Sequence, residues 1–115
     1  ESGIERVLEL VGFDAALEGI DYVITGEGMT DWQSCYGKVL YGVGRHAKAK
    51  GIPAFAIVGS MGRGAEDILE HGIESILTCV NAPMPLEQAL ENAESLYLSA
   101  ARRLFRLIRA VENKR

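Results

Sequence analysis

Three strand-like apolar runs, separated from one another by segments with helical periodicity, constrain the fold of this chain more than any other feature. The runs lie at residues 22–24, 53–58 and 75–80. Strands that alternate with helices pair in parallel through right-handed crossovers, and the helices then cover both faces of the sheet. The order therefore predicts a three-layer α/β fold, a Rossmann or flavodoxin-like unit with a mostly parallel sheet.

The segments between and beside these runs carry apolar residues at the spacing of amphipathic helices. The spacing predicts a short helical turn at 14–17, a long C-terminal helix from 86 to about 112, and helices at 3–12, 38–50 and about 65–70. Glycine adopts the left-handed backbone of a helix terminus without strain, and four glycines stand where helical segments should end: Gly12, Gly19, Gly51 and Gly72. The first strand is predicted to end near Thr25, before a loop.

The length of 115 residues allows one domain with a single core, so residues 1–115 are predicted to form a single α/β domain. A sheet of three strands leaves two exposed edges, whereas parallel sheets are normally well covered. We therefore expect the missing strands to come from residues beyond this chain or from another subunit. The first residues, ESGIERVLEL, contain neither an initiator Met nor a secretion signal, which fits a processed protein or a piece of a larger one.

The composition argues against several classes of function. Hydrophobic residues make up 48% of the chain and charged residues 24%, as in soluble globular domains, and no apolar run is long enough to cross a membrane. A formal charge of -4 leaves no broad basic surface for nucleic acid. Cys35 and Cys79 form no CxxC pair, so we expect reduced thiols in a cytoplasmic protein, and neither a zinc site nor a disulfide framework.

A polar, glycine-rich stretch, ITGEGMTDWQSCYGK at residues 24–38, follows the first predicted strand directly. In an open parallel sheet the segments that leave the carboxyl ends of the strands lie along one edge, where ligands bind. Three segments meet at that edge: residues 26–38, residues 59–64, and the segment that begins at Asn81. Together they bring close a set of side chains that suits a phosphorylated or hydroxylated ligand: Thr25, Glu27, Asp31, Gln33, Lys38, Ser60 and Asn81.

The chemistry of this set suits phosphoryl transfer. Glycines let consecutive backbone amides point at phosphate oxygens, and Lys38 begins the following predicted helix, where the helix dipole already favours anions. Carboxylates beside such a cradle could bind Mg²⁺, or one of them could accept the proton of an attacking hydroxyl. Asp31 and Glu27 are the candidates for both tasks.

Structural explanations of the singled-out residues stay open. Glycine and aspartate are ordinary turn residues, although a loop as long as 26–37 is more often functional than a short connection. The glycines of GSMGRG at 59–64 are also explained by the start of a helix. His46 is expected to be half-exposed packing, and His71 to meet the dipole at a helix end. Four arginines on the last helix are expected to form a solvated face or to meet an acidic surface of a partner: Arg102, Arg103, Arg106 and Arg109.

Two nucleotide-binding motifs fail on spacing or position. The phosphate-binding pattern GxxxxGK[ST] would need a glycine at Trp32 and a hydroxyl at Val39. Residues 42–47, GVGRHA, match the dinucleotide pattern GxGxxA, but they lie inside a predicted helix and not at its junction with a strand. Neither motif therefore assigns a nucleotide site.

The segment DYVITGEGMTDWQSCYGKVLYGVGRHAKAKGIPAFAIVGSMG, at residues 21–62, resembles the C-terminal part of the bacterial type I glycerate kinases. The segments GFDAALEGID and NAPMPLEQALENA are also similar to their counterparts, so the resemblance covers nearly the whole chain. Met29 departs from the family, which commonly has arginine after GEG, and the exchange removes a charge that could grip a carboxylate or phosphate. The matching positions are Thr25, Gly26, Glu27, Gly28, Asp31, Gln33, Gly37, Lys38, Gly42, Val43, Gly59 and Ser60.

The resemblance implies ATP-dependent phosphorylation of D-glycerate with Mg²⁺, by an enzyme of two α/β domains with its active site in the cleft between them. The chain would be the C-terminal part of such a kinase, inactive alone, with the N-terminal portion or a homo-oligomer as partner. Loop position and resemblance together predict that Asp31, Lys38 and Glu27 are catalytic, with Asp31 and Glu27 as metal ligands. The predicted substrate-binding residues are Thr25, Gly26, Gly28, Gln33 and Ser60. The alternative is a non-catalytic α/β domain that binds a small molecule or anion.

Overall fold

The computed structural model describes residues 3–30, 39–61 and 64–114 of the chain. The alternation of strands and helices is the one that the sequence predicts. In chain order the elements are α1 (Gly3–Leu10), α2 (Phe13–Ala16), β1 (Val23–Thr30), α3 (Val39–Ala49), β2 (Ala54–Met61), a 3₁₀ helix (Ala65–His71), β3 (Ile73–Thr78), α4 (Leu86–Glu91) and α5 (Ala93–Glu112).

The three strands form one sheet in the order β1-β2-β3, and both pairs of neighbours are parallel. Successive side chains of β2 point to opposite faces of the sheet, as strand geometry requires. Ala54, Ala56 and Val58 pack in a buried cluster with α3 and the 3₁₀ helix, whereas Ile57 packs with α5 in a second cluster. Helices therefore cover both faces, which confirms the predicted three-layer α/β fold with its parallel sheet.

The strand ends differ from the prediction. β1 continues to Thr30 and β2 to Met61, so residues 26–30 and 59–61 are paired strand and not loop. The prediction that the first strand ends near Thr25 was wrong, because local glycine content disfavours a strand while pairing with a neighbour satisfies its backbone groups. β3 spans Ile73–Thr78, which is earlier in the chain than the predicted 75–80.

A long C-terminal helix is present as α5, but it begins at Ala93, and α4 precedes it as a separate helix. Asn92, between the two, has φ -108° and ψ 18°, and its side-chain amide donates a hydrogen bond to the carbonyl oxygen of Gln88 at 2.9 Å. Short polar side chains compete with helical hydrogen bonds in this way. Across the described ranges, no helix combines the length and the apolar character needed to span a bilayer.

Two glycines inside α3 allow neighbouring segments to approach this helix closely. A Cβ atom at Gly42 would lie 2.6 Å from Cγ1 of Ile4 in α1, and one at Gly44 would lie 2.5 Å from the carbonyl oxygen of His71. Real Cβ atoms do not approach other atoms so closely, so a larger residue at either position would displace its neighbour. Packing is therefore a sufficient explanation for the glycines of the GVGRHA segment.

Candidate active site

The carboxyl ends of β1 and β2 form the edge of the sheet at which a ligand site was predicted. In the parallel register Glu27 pairs with Val58, and Met29 pairs with Ser60. β1 and β2 extend beyond β3, whose last paired residue is Thr78. Five of the predicted site residues therefore lie on two neighbouring strands at one edge: Thr25, Gly26, Glu27, Gly28 and Ser60.

Gly26 has a structural role in addition to its predicted contact with substrate. A Cβ atom at this position would lie 3.0 Å from the carbonyl oxygen of Ile57, so glycine allows β1 to approach β2 closely. The neighbouring Thr25 is partly buried and pairs with Ala56. The substrate-binding roles of Thr25 and Gly26 stay predictions.

Three predicted residues, Asp31, Gln33 and Lys38, lie outside the described residues, and their roles stay predictions. The chain leaves β1 after Thr30, at the carboxyl edge of the sheet, and α3 begins at Val39, directly after Lys38 in the sequence. Among the side chains that the structure describes, no group of His, Cys, Asp and Glu could hold a metal ion. Asp31 and the side chain of Glu27, the predicted metal ligands, are not among them.

A second polar cluster joins α1 and α2 to α3. Nδ1 of His46 lies 2.7 Å from Oδ1 of Asp14, and its Nε2 lies 2.9 Å from Oε1 of Glu5. Arg45 forms an ion pair with the same oxygen of Glu5 at 3.3 Å. Carboxylate oxygens only accept hydrogen bonds, so both ring nitrogens donate and His46 is an imidazolium. We refer to these four residues as the His46 clasp.

The clasp shifts the pKa values of its members in opposite directions. The hydrogen bond to Glu5, followed by that to Asp14, raises the pKa of His46 above its ordinary value of 6.5. The hydrogen bond from His46 lowers the pKa of Glu5 below its ordinary value of 4.5. His46 is partly buried, as expected, but its role as an anchor was not predicted. Its partners lie 32 and 41 positions away in the sequence, so no local pattern indicates them.

The stabilising effect of the clasp is expected to depend on pH. Because the pKa of His46 is raised by folding, its contribution is fully present below pH 6.5 and is lost as the pH rises through the raised pKa. The contribution of Glu5 is present above pH 4.5 and is lost as the pH falls through its lowered pKa. The clasp is therefore strongest between these two values. Raising the pH from 6 to 9 is expected to cost about 1 kcal/mol of unfolding free energy, as for partly screened ion pairs.

Urea denaturation at the two pH values measures this loss, with His46→Gln as the test variant. The loss should disappear in His46→Gln, because glutamine does not titrate. Glu9→Gln is the control, since Glu9 is 65% exposed and forms a surface ion pair with Arg6 on α1. This control should keep the wild-type dependence on pH. An equal loss in wild type and His46→Gln would show that the clasp is not its source.

Cys79 and His71, which the sequence singles out, both pack in the interior of the described fold. Cys79 is 2% exposed, its thiol is free, and desolvation raises the pKa of that thiol. A buried neutral thiol of this kind is inert, which is consistent with the expected reduced state. The ring of His71 contacts the ring of Tyr41 edge-on at a centroid distance of 4.9 Å.

The parallel sheet, with glycine-rich segments at its carboxyl edge, defines a three-layer α/β domain of the class that binds small ligands at the ends of its strands. The model of the Glycerate kinase family matches residues 1–109. The chain belongs to the glycerate kinase family.

Individual relatives agree with this assignment. The chain is 42% identical over 102 residues to glycerate kinase of Halalkalibacterium halodurans, a match that covers 89% of this chain and 27% of that protein. It is 32% identical over 104 residues to glycerate 2-kinase of Escherichia coli, covering 90% of this chain and 27% of that protein. A crystal structure assigned to glycerate kinase 2 of Salmonella typhimurium LT2 matches with a TM-score of 0.70 and 33% identity, covering 98% of this chain and 28% of that one. The chain thus spans about a quarter of the length of the curated relatives it matches.

Proposed function

We propose that this chain is the C-terminal part of a bacterial type I glycerate kinase and contributes one wall of its active-site cleft. The family match over residues 1–109 carries the proposal. The positions of Thr25 to Gly28 and Ser60 on neighbouring strands support it, because ligands of parallel α/β sheets bind at this edge. The reaction transfers the γ-phosphoryl group of ATP to a hydroxyl of glycerate in the cytoplasm. A bond forms between the hydroxyl oxygen and phosphorus, and the bond from phosphorus to ADP breaks.

The residues from β1 to α3 divide the work in this proposal. Lys38, at the start of α3, neutralises charge on the transferred phosphoryl group. Asp31 orients the substrate hydroxyl and takes its proton, and Thr25, Gly26, Gly28, Gln33 and Ser60 hold the substrate.

Magnesium fits the donor set of the proposed site. Glu27 and Asp31 are carboxylates, and carboxylate oxygens are the protein ligands that Mg²⁺ prefers. When bound, the ion neutralises negative charge on the phosphates of ATP. The two carboxylates would serve as its ligands from the chain.

A binding domain without catalysis is the second candidate. Met29 favours it, because the arginine common at this position in the family would supply a charge that methionine lacks. Under this proposal the carboxyl edge of the sheet captures a small molecule or an anion, and no bond is broken.

An assay of the native polypeptide in which this chain occurs separates the two candidates. The kinase proposal predicts ADP formation that requires both Mg-ATP and D-glycerate. Calorimetric titration with the same two compounds measures binding without turnover. Binding of either compound with no ADP formation would support the binding domain and contradict the kinase. The 115-residue chain alone is expected to form no ADP, because the opposite wall of the cleft is not part of it.

A further inference from the structure

One face of the sheet is covered over β2 and β3 but not over β1. α5 packs on this face through Leu96, Ala100 and Leu104, in a cluster that includes Phe55 of β2. Ile24 of β1 pairs with Phe55 in the register and therefore lies on the same face, yet it is 37% exposed. The described helices thus leave an apolar strip of β1 uncovered beside α5.

A groove runs along α5 next to this strip. Its floor and walls are largely apolar, with Tyr22 at one side and Leu98 and Phe105 of α5 at the other. Its volume is about 690 Å³. Leu98 is 50% exposed and Phe105 is 54% exposed, although both lie next to other apolar side chains. We call this feature the β1 groove; it is bordered by Arg102, Arg106, Arg109 and Glu112.

The two edges of the sheet differ in how they are protected. At β3, Arg103 of α5 donates a hydrogen bond from Nη2 to the carbonyl oxygen of Thr78 at 3.4 Å, and Glu74 is exposed. Charged side chains at an edge oppose pairing with a further strand. The first four residues of β1, Val23 to Gly26, carry no charge. The edge at β1 is therefore the one suited to accept another strand.

The match to the Salmonella structure indicates what covers the groove. This unit accounts for 28% of that chain, so a protein with the same fold carries it beside much more polypeptide. We propose that the β1 groove is covered by one further strand, paired with β1, and by the helix that follows it, both from the rest of the same kinase polypeptide. The arginines at its margin predict that the covering helix presents acidic side chains there. The proposal rests on family membership and not on the catalytic roles of Asp31 or Lys38.

Thiol labelling in a chimera tests this proposal without reference to activity. In the chimera, this chain replaces the matched segment of the Halalkalibacterium halodurans kinase. Phe105→Cys is introduced into the chimera and into the 115-residue chain, and its reaction with a maleimide is followed by peptide mass spectrometry. We expect labelling to be slower in the chimera by about tenfold or more, because the thiol then reacts only when the covered surface opens.

Ala110→Cys is the matched control, since Ala110 is exposed on the same helix and does not line the groove. Its labelling rate should be the same in both proteins. Equal rates at Phe105→Cys would overturn the proposal. Light scattering of the 115-residue chain tests the other occupant, a second copy. A dimer that Phe105→Asp converts to a monomer would also overturn the proposal, whereas a monomer in both cases supports it.

Discussion

Gly72→Ala is expected to lower the free energy of unfolding by about 3 kcal/mol, because two costs combine at this position. Gly72 has a φ of 100°, a left-handed conformation that alanine adopts only with strain. A Cβ atom there would also lie 2.0 Å from the carbonyl oxygen of Gly44, which belongs to the backbone of α3. Backbone cannot move aside as a flexible side chain can, so α3 and the turn before β3 would separate. For a domain of marginal stability, this is a large fraction of the total.

Gly51→Ala is the matched control for this substitution. Gly51 has a φ of 72°, but a Cβ atom there would meet nothing within 4 Å. Only the conformational cost remains, and we expect a loss of about 1 kcal/mol. Urea denaturation of both variants gives the comparison. Equal losses for the two variants would show that the contact between Gly44 and Gly72 does not limit the packing of α3.

Asp31→Ala and Lys38→Ala are each expected to lower the turnover of glycerate phosphorylation by about 100-fold or more, if the proposed function holds. Asp31 would no longer orient the substrate hydroxyl, and Lys38 would no longer neutralise charge on the phosphoryl group. Thermal stability should change little, because both side chains are predicted to be exposed at the edge of the sheet. The assay uses the native polypeptide in which this chain occurs.

The controls remove the same charges at other places in the fold. Asp21 is exposed and precedes β1, at the opposite end of the strand from Asp31. Lys50 is exposed and follows α3, at the opposite end of that helix from Lys38. Asp21→Ala and Lys50→Ala should keep normal turnover. Normal turnover in Asp31→Ala and Lys38→Ala as well would remove both residues from the proposed mechanism.

Much of the architecture could be predicted from local patterns. The alternation of apolar runs with helical segments indicated the parallel three-layer fold, because strands and helices bury their apolar faces with different periodicities. The predicted stops at Gly12, Gly19, Gly51 and Gly72 all have positive φ, which is a property of the single residue. The placement of Thr25 to Gly28 and Ser60 at one edge followed from the parallel arrangement. The roles of these residues stay predictions.

Other features depend on partners that are distant in the sequence, and only the tertiary structure decided them. β1 extends through a glycine-rich stretch because β2 pairs with it, and the glycines of α3 are required where Ile4 and His71 approach. His46 is held by carboxylates of two earlier helices, and the β1 groove exists because α5 lies over β2 and β3 but not over β1. Periodicity and turn chemistry act over a few residues, whereas register, close packing and charge pairing arise only when separate segments meet.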